Sequence, residues 1–389
     1  MAQLLSVLGA AEGETRYVGG CVRDTLLGVP VSDVDLATRL KPEEVIARLK
    51  RARIKAVPTG LAHGTVTAIV EGKPVEVTTL RRDVSTDGRR ATVAFTDDWQ
   101  EDAARRDFTI NALSADPHSL QIHDYFGGWE DVEARRVRFI GDPLTRIAED
   151  HLRILRFFRF HARFSEGAPD LEGLEACAAR ANDLMALSRE RIADELIKLL
   201  TLANPAPTVA LMVHRGILKP VLPEIVGDGA ARLARLIERE GQAGLPGDPL
   251  RRFAALLPPE PELAAAVGAR LRLSNKAAKR IASAAARSDS DSAIRPEVLA
   301  YRIGREEAVD RLLLGEGDPA LAVSIAAWER PRLLVSGGML IELGLTPGPV
   351  VAKAMQDVQG RWAEAGFPED RADQLAIARE AVARALADS

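Results

Sequence analysis

The chain has 389 residues, 47% hydrophobic and 28% charged, a length for about two to four domains and a composition that folds rather than stays disordered. Fifty-two Lys and Arg against 56 Asp and Glu leave a formal charge of -4, which excludes a uniformly cationic nucleic-acid binder. Cys21 and Cys177 are the only cysteines, which excludes a disulfide-stapled scaffold and a cysteine zinc site and points to a reducing cytoplasm.

The opening text MAQLLSVLGAAEGETRYVGG lacks the basic region of a secretion signal, and no apolar run approaches the roughly 18 residues of a membrane span. A cytosolic chain with no membrane partner is expected. Strand-like text follows in YVGG, VSDVDLAT, HGTVTAIV and PVEVTTL, the last two joined by the turn signal EGK, with helical segments between. Residues 17–130 therefore read as an α/β unit. From about Pro143 the periodicity turns helical and stays so to Ser389, broken at NPAP, GLPGDP, LPPEPE and LTPGP. Polar and proline-containing text near 201–207 and 288–296 marks the connections expected within it.

Five short segments carry candidate chemistry. In an extended VSDVDLAT, Asp33 and Asp35 project to one side. Paired carboxylates repel unless a proton or a divalent cation resolves them, and hard oxygen ligands suit Mg²⁺. Glu76 in PVEVTTL is positioned to complete the cluster. An acidic pair on a solvated strand is the plainer reading of the spacing, and both stand at this point. Upstream, Gly19-Gly20-Cys21-Val22-Arg23-Asp24 joins a short strand to helical text. Such a turn either cradles phosphate, with Gly20 admitting it and Arg23 adding charge, or is only a tight connection. In Arg105-Arg106-Asp107-Phe108-Thr109-Ile110-Asn111, arginine and asparagine suit phosphate and sugar hydroxyls, against a solvated helix start.

The segment Glu149–Phe160 carries Asp150, Arg153, Arg156 and Arg159 among apolar residues. The plain expectation is an intrahelical Asp150–Arg153 pair. Burial of the arginines would demand anionic partners beyond one aspartate, which a polyanionic ligand supplies. Residues 135–163 hold eight arginines against three acidic residues, a basic seam in an acidic chain. Ser188, Glu190, Arg191 and Glu195 read as a capped, charge-laced helix start. His63 reads as a turn organiser.

Taken in order, G-G-x-V-R-D, D-x-D, R-R-D-F-T-x-N-A, E-D-x-x-R and S-x-E-R-I-x-x-E resemble the class II nucleotidyltransferases, the bacterial CCA-adding enzymes and poly(A) polymerases with a DNA-polymerase-beta-like head. RLRLSNKAAKRI and LLVSGGMLIELGLTPGPV resemble the helical body and tail more loosely. The resemblance implies an α/β head (residues 1–138) followed by an all-α neck (139–200), body (201–290) and tail (291–389). It implies template-independent addition of C, C and A to the tRNA 3′ end from CTP and ATP with Mg²⁺. Asp33 and Asp35 match the metal positions, with Glu76 beside them; Gly20, Arg23, Arg106 and Asn111 match nucleotide contacts. Asp150 and Arg153 match the base-reading pair, continued by Arg156 and Arg159, and Glu190 and Arg191 match a neck brace. A C-to-A switch segment falls at Arg81 to Thr92. The alternatives are a poly(A) polymerase, whose basic leader and R-F-x-L-x-H-V segment are not in this text, an enzyme adding only CC or only A, and a non-catalytic RNA-binding protein. Lys276, Lys279 and Arg280 form one candidate basic stretch for the tRNA backbone.

Overall fold

The structure, a computed structural model, describes residues 1–86 and 91–387. It divides into two compact units, Met1–Gly227 and Asp228–Ser389. Four residues of the expected switch segment, 87–90, lie outside the described residues.

Among the described residues the first unit is built on nine strands: β1 (Thr15–Val18), β2 (Asp35–Thr38), β3 (Lys55–Gly60), β4 (Thr65–Val70), β5 (Lys73–Thr79), β6 (Arg81–Thr86), β7 (Ala91–Phe95), β8 (Ser114–Ala115) and β9 (Ile122–His123). Seven form one sheet in the order β3-β4-β5-β2-β1-β8-β9, and β6 and β7 pair separately. Only β2 and β5 run parallel in the large sheet, with Asp35 opposite Glu76. The EGK signal is a two-residue hairpin turn whose Glu71 (φ 52°) and Gly72 (φ 78°) are both left-handed, the geometry that matches strand twist. Val75 and Val77 are buried and alternate with exposed Glu76. They pack with Leu36, Val66 and Ala68 under Leu4, Val45 and Leu49 of the helices Ala2–Val7 and Pro42–Arg51.

VSDVDLAT is only half strand. Residues 31–34 are irregular and β2 begins at Asp35, so Asp33 precedes the strand instead of alternating along it. β3 lies at the sheet edge, where Pro58 costs no ladder bond, and its register shifts between Val57 and Gly60.

The remainder is helical. In the first unit, Pro143–Glu149 and Arg153–Phe164 are separate helices, followed by Leu171–Ala179, Arg189–Leu200 and Ala206–His214. Phe139 and Phe157 stack 5.5 Å apart, and Phe108 lies 4.9 Å from Phe139, tying the strand region to the helix Arg153–Phe164. The predicted breaks fall between helices: GLPGDP, LPPEPE and LTPGP lead into helices opening with Pro249, Pro261 and Pro349, whose missing N–H is harmless in the first turn. The stretch near 288–296 holds a short helix, Ser290–Ala293, and the two units divide at Gly227/Asp228.

A buried ionic network crosses the second unit. Asp310 accepts from Arg280 at 2.7 and 2.9 Å and from Arg251 at 3.4 Å, and Glu240 holds Arg251 and Arg252 at 2.8 and 2.9 Å. The basic stretch expected at 276–280 is therefore not uniform. Lys276 and Lys279 are exposed, but Arg280 is turned inward onto Asp310 and Asp248. Removing one member strands the others. Asp310→Ala should destabilise the protein by about 3–5 kcal/mol, and Lys276→Ala by less than about 0.5 kcal/mol, as read by urea unfolding of the full chain.

Candidate active site

One cleft of about 610 Å³ opens in the first unit, lined by seven arginines (Arg23, Arg105, Arg106, Arg153, Arg156, Arg159, Arg163) and four aspartates (Asp33, Asp35, Asp107, Asp150), with Gly19, Gly20, Asn111 and Phe160. It is sized for a nucleotide. Its floor starts at the turn from β1 into the helix Gly20–Leu26. Gly19 takes φ 69° and ψ -124°, open only to glycine, and an added Cβ would stand 2.8 Å from Arg106 Nη1. Gly20 has room around it, since a methyl there would stand 3.5 Å from Arg23 Nη2, so the backbone demand falls on Gly19.

On the strand side, exposed Asp33 accepts from Ser32 Oγ at 3.1 Å, and half-buried Asp35 opens β2. Burial raises the Asp35 carboxyl above the ordinary carboxylate range and Glu76 pushes it further; Arg106 opposes them less strongly, and Asp33 adds a last, smaller push. Glu76 stands beside Asp35 in register but does not line the cleft.

On the helix side, each arginine is held by a carboxylate from elsewhere. Arg156 donates to Asp107 at 2.7 Å, Arg159 to buried Glu195, and Arg163 to Asp24 at 3.4 Å. Burial is the largest influence on both Asp107 and Arg156 and opposes their charge, but their mutual attraction, joined by Asn111 and Arg153 at Asp107 and by Glu195 and Asp150 at Arg156, outweighs it: the carboxyl is held below its usual range and the guanidinium above. Phe160 is the platform among them, with the guanidinium carbons of Arg159, Arg156 and Arg23 at 4.4, 5.2 and 5.3 Å from its ring centre. Asn111 links the two sides from within the wall, accepting from Arg23 and donating to Asp107 at 2.9 Å. Its amide is committed to holding the wall.

The comparisons with known proteins agree with this geometry. Residues 15–138 match the family model described as "Poly A polymerase head domain", and residues 170–227 match "Probable RNA and SrmB- binding site of polymerase A". The chain is 34% identical over 376 residues to the mitochondrial CCA tRNA nucleotidyltransferase 1 of Danio rerio, covering 93% of this chain and 86% of that one. It is 32% identical over 383 residues to the CCA-adding enzyme of Streptococcus gordonii, covering 94% and 93%. The chain belongs to the class II CCA-adding enzyme family. Among solved structures, the Bacillus stearothermophilus CCA-adding enzyme in complex with CTP superposes with a TM-score of 0.76 at 27% identity, covering 98% of both chains.

Within this CCA-adding fold, two sequence expectations are corrected. Asp150 does not pair with Arg153. Asp150 takes extended backbone (φ -150°, ψ 107°) between two helices, which removes the one-turn spacing. It caps Leu152 N at 3.1 Å and accepts both of its close contacts from Arg191, at 2.7 and 3.0 Å. Arg153 pairs with Glu149 and donates to the carbonyls of Arg146 and Arg105 at 2.8 and 3.0 Å. Nor do the arginines wait for a ligand to neutralise them, since Glu149, Asp107 and Glu195 already do. The structural reading of Ser188 holds, its hydroxyl accepting from Arg191 N at 3.4 Å, and His63 lies in the turn Leu61–His63.

The cleft gathers every site residue expected from the sequence except Glu76, and adds Gly19, Arg105, Asp107, Phe160 and Arg163. Arg163 continues the helical spacing of Arg156 and Arg159 and was findable. Phe160 was not, because an aromatic on an apolar face looks like core.

Enzymes of this family are metal-dependent. Among the described residues no group of three or more His, Cys, Asp or Glu closes on one point. Asp33 and Asp35 nonetheless fit a hard divalent cation: they are the cleft carboxylates with no arginine bonded to them, and Asp35 is held up by burial and like charge. Its raised pKa means the folded state binds this proton more readily than the unfolded chain. The resulting stability is complete below the ordinary aspartate value and lost as pH rises through the raised one. Asp35→Asn should therefore raise the melting midpoint at about pH 8 in chelator by roughly 2 °C, and the gain should vanish near about pH 3.5. A gain equal at both pH values in differential scanning calorimetry would contradict the assignment.

Proposed function

We propose that this chain adds C, C and A to the 3′ end of tRNA from CTP and ATP, releasing pyrophosphate by in-line nucleotidyl transfer. The observation that carries the reading is one cleft holding Asp33 and Asp35 on one wall and Asp150, Arg153, Arg156 and Arg159 on another, in a chain similar over nearly its whole length to CCA-adding enzymes. Residues 1–138 are assigned as the catalytic head, 139–200 as the neck that reads the base, and 201–290 and 291–389 as the body and the tRNA-binding tail. A cytoplasmic location is supported by Cys21 and Cys177, both free and buried. Among the described residues no helix is long and apolar enough to cross a membrane.

Asp33 and Asp35, with Glu76 beside them, would hold Mg²⁺, which when bound acidifies the attacking 3′-hydroxyl and stabilises the pyrophosphate leaving group. Gly19 and Gly20 let the phosphate chain approach backbone, and Arg23 and Arg106 keep that wall positive. Asp150 and Arg153 select the base. Cytosine and adenine each place an amino donor beside a ring-nitrogen acceptor, whereas uracil and guanine place a carbonyl beside an N–H. A carboxylate acceptor next to a guanidinium donor complements the first pair and opposes the second. Arg191, which does not line the cleft, fixes the Asp150 carboxylate, whose oxygens keep further lone pairs for the base.

A tRNA transcript lacking CCA, given Mg²⁺ with CTP, then ATP, then both, should gain two nucleotides with CTP and one more when ATP joins. A stop at CC would mean a split activity, a long A ladder a poly(A) polymerase, and no product a binding protein. Asp35→Ala should lower incorporation by at least about 10³-fold, with tRNA binding kept within a few fold in a filter assay. Asp150→Ala should flatten the preference for C and A over U and G, and unchanged selectivity across four triphosphates would remove its base-reading role.

A further inference from the structure

A second cavity, of about 220 Å³, lies wholly within the Asp228–Ser389 unit and is bordered by Arg232, Arg235, Arg239 and Arg287. The first three stand at positions three, four and seven apart along the helix Gly227–Gln242, which puts them on one face. Arg287 comes from just past the helix Asn275–Ala285. Glu316 is the one carboxylate on the rim, and it is exposed.

Arginines in other cavities of this chain, such as Arg156, Arg159, Arg251 and Arg280, are bonded to carboxylates. Here none of the four has a carboxylate within 4.0 Å among the described residues. Arg232 donates to the carbonyls of Ala255 and Leu256 at 2.9 and 3.2 Å. Arg239 donates to those of Leu313, Leu312 and Gly317 at 2.8, 3.0 and 2.6 Å. These bonds cap the ends of the helices Pro249–Leu256 and Arg305–Leu314 and account for two arginines structurally. They do not account for the others. Half-buried Arg287 has a single bond, to the Ala284 carbonyl at 3.3 Å, and Arg235 stands exposed on the rim with no bonded protein partner among the described residues. Asp228 acts on Arg232 only at longer range, as Glu316 and Asp318 do on Arg239. Burial, and then the neighbouring charge of Arg232, push the Arg287 guanidinium down to about 10.

We infer that this cavity is a phosphate-group site in which Arg235 and Arg287 close on the oxyanion, while Arg232 and Arg239, fixed by their carbonyl bonds, supply positive charge from the wall. Guanidinium forks fit phosphate oxygens, and the volume suits a phosphate or pyrophosphate group rather than a whole nucleotide. Two sources share that chemistry: a phosphodiester of an RNA backbone, an arm that rests on the function proposed above, and free pyrophosphate, which does not.

Arginine modification by phenylglyoxal, mapped by peptide mass spectrometry on the full chain, separates them. Pyrophosphate alone should slow modification of Arg235 and Arg287 several-fold if the site takes free groups. Protection only by a CCA-lacking tRNA transcript, together with a salt-dependence slope of tRNA binding lowered by about 1 in Arg235→Gln/Arg287→Gln, assigns the site to the RNA backbone. Protection by neither ligand, or protection by RNA with an unchanged slope, overturns the inference. If the double variant melts early, Arg235→Gln alone carries the slope measurement, since that side chain holds nothing in place. CCA addition measured on the same preparations keeps the two proposals apart, because either can fail while the other stands.

Discussion

A guanidinium taken out of water needs a partner, and the helix Arg153–Phe164 imposes that requirement through Arg153, Arg156 and Arg159, while exposed Arg163 adds a fourth pair. Glu149 answers Arg153 from the preceding helix, Asp107 answers Arg156 from the loop between β7 and β8, Glu195 answers Arg159 from the helix Arg189–Leu200, and Asp24 answers Arg163 from the helix Gly20–Leu26. Four separate elements are thereby tied to one helix face. Loss of any one carboxylate would leave a charge stranded in the cleft wall, so the pairing sets the shape of the cleft as well as its sign.

The opposite wall obeys the reverse rule. Asp33 and Asp35 have no bonded arginine, and Asp35 is pushed by burial and by Glu76 toward holding its proton. Compensated cations on one wall and uncompensated anions on the other make a site asymmetric in what it lacks. The arginine wall is set before a ligand arrives and can orient a base or phosphate without rearranging. On the function proposed above, the aspartate wall would be completed by a cation, and charge-demanding chemistry would then wait until metal and triphosphate are both present.

Much of this was legible in the sequence because glycine pairs, acidic pairs and arginine rows are local patterns. The α/β unit, the helical remainder and nearly every cleft residue follow from text within a few positions of each motif. What escaped was non-local. Asp107 and Arg156 are 49 residues apart, Arg159 and Glu195 36, and Arg163 and Asp24 139, so a row of arginines among apolar residues looked short of anions when the fold supplies them. The Asp150–Arg153 pair failed for a local reason: spacing predicts a contact only if the helix is continuous, and the backbone leaves the helical region at Asp150. Asp33 does line the cleft with Asp35, as expected, but not through strand alternation, because the strand begins two residues later.

The same contrast between compensated and uncompensated charge recurs in the second unit. Glu240, Asp248 and Asp310 meet Arg251, Arg252 and Arg280 in a largely buried network that reaches the surface through Glu306 beside Arg280. The arginines on the neighbouring face of the helix Gly227–Gln242 have only carbonyl dipoles, which offset part of a positive charge but cannot neutralise it. Both arrangements branch from this one helix, through Glu240 on one side and Arg232, Arg235 and Arg239 on the other. Glu240 and Arg239 are adjacent in sequence, yet Glu240 is committed to Arg251 and Arg252. The internal network thus withdraws one of the two carboxylates that flank Arg239, and the other, exposed Glu238, forms no ion pair with the arginine face among the described residues, so that face keeps its positive charge.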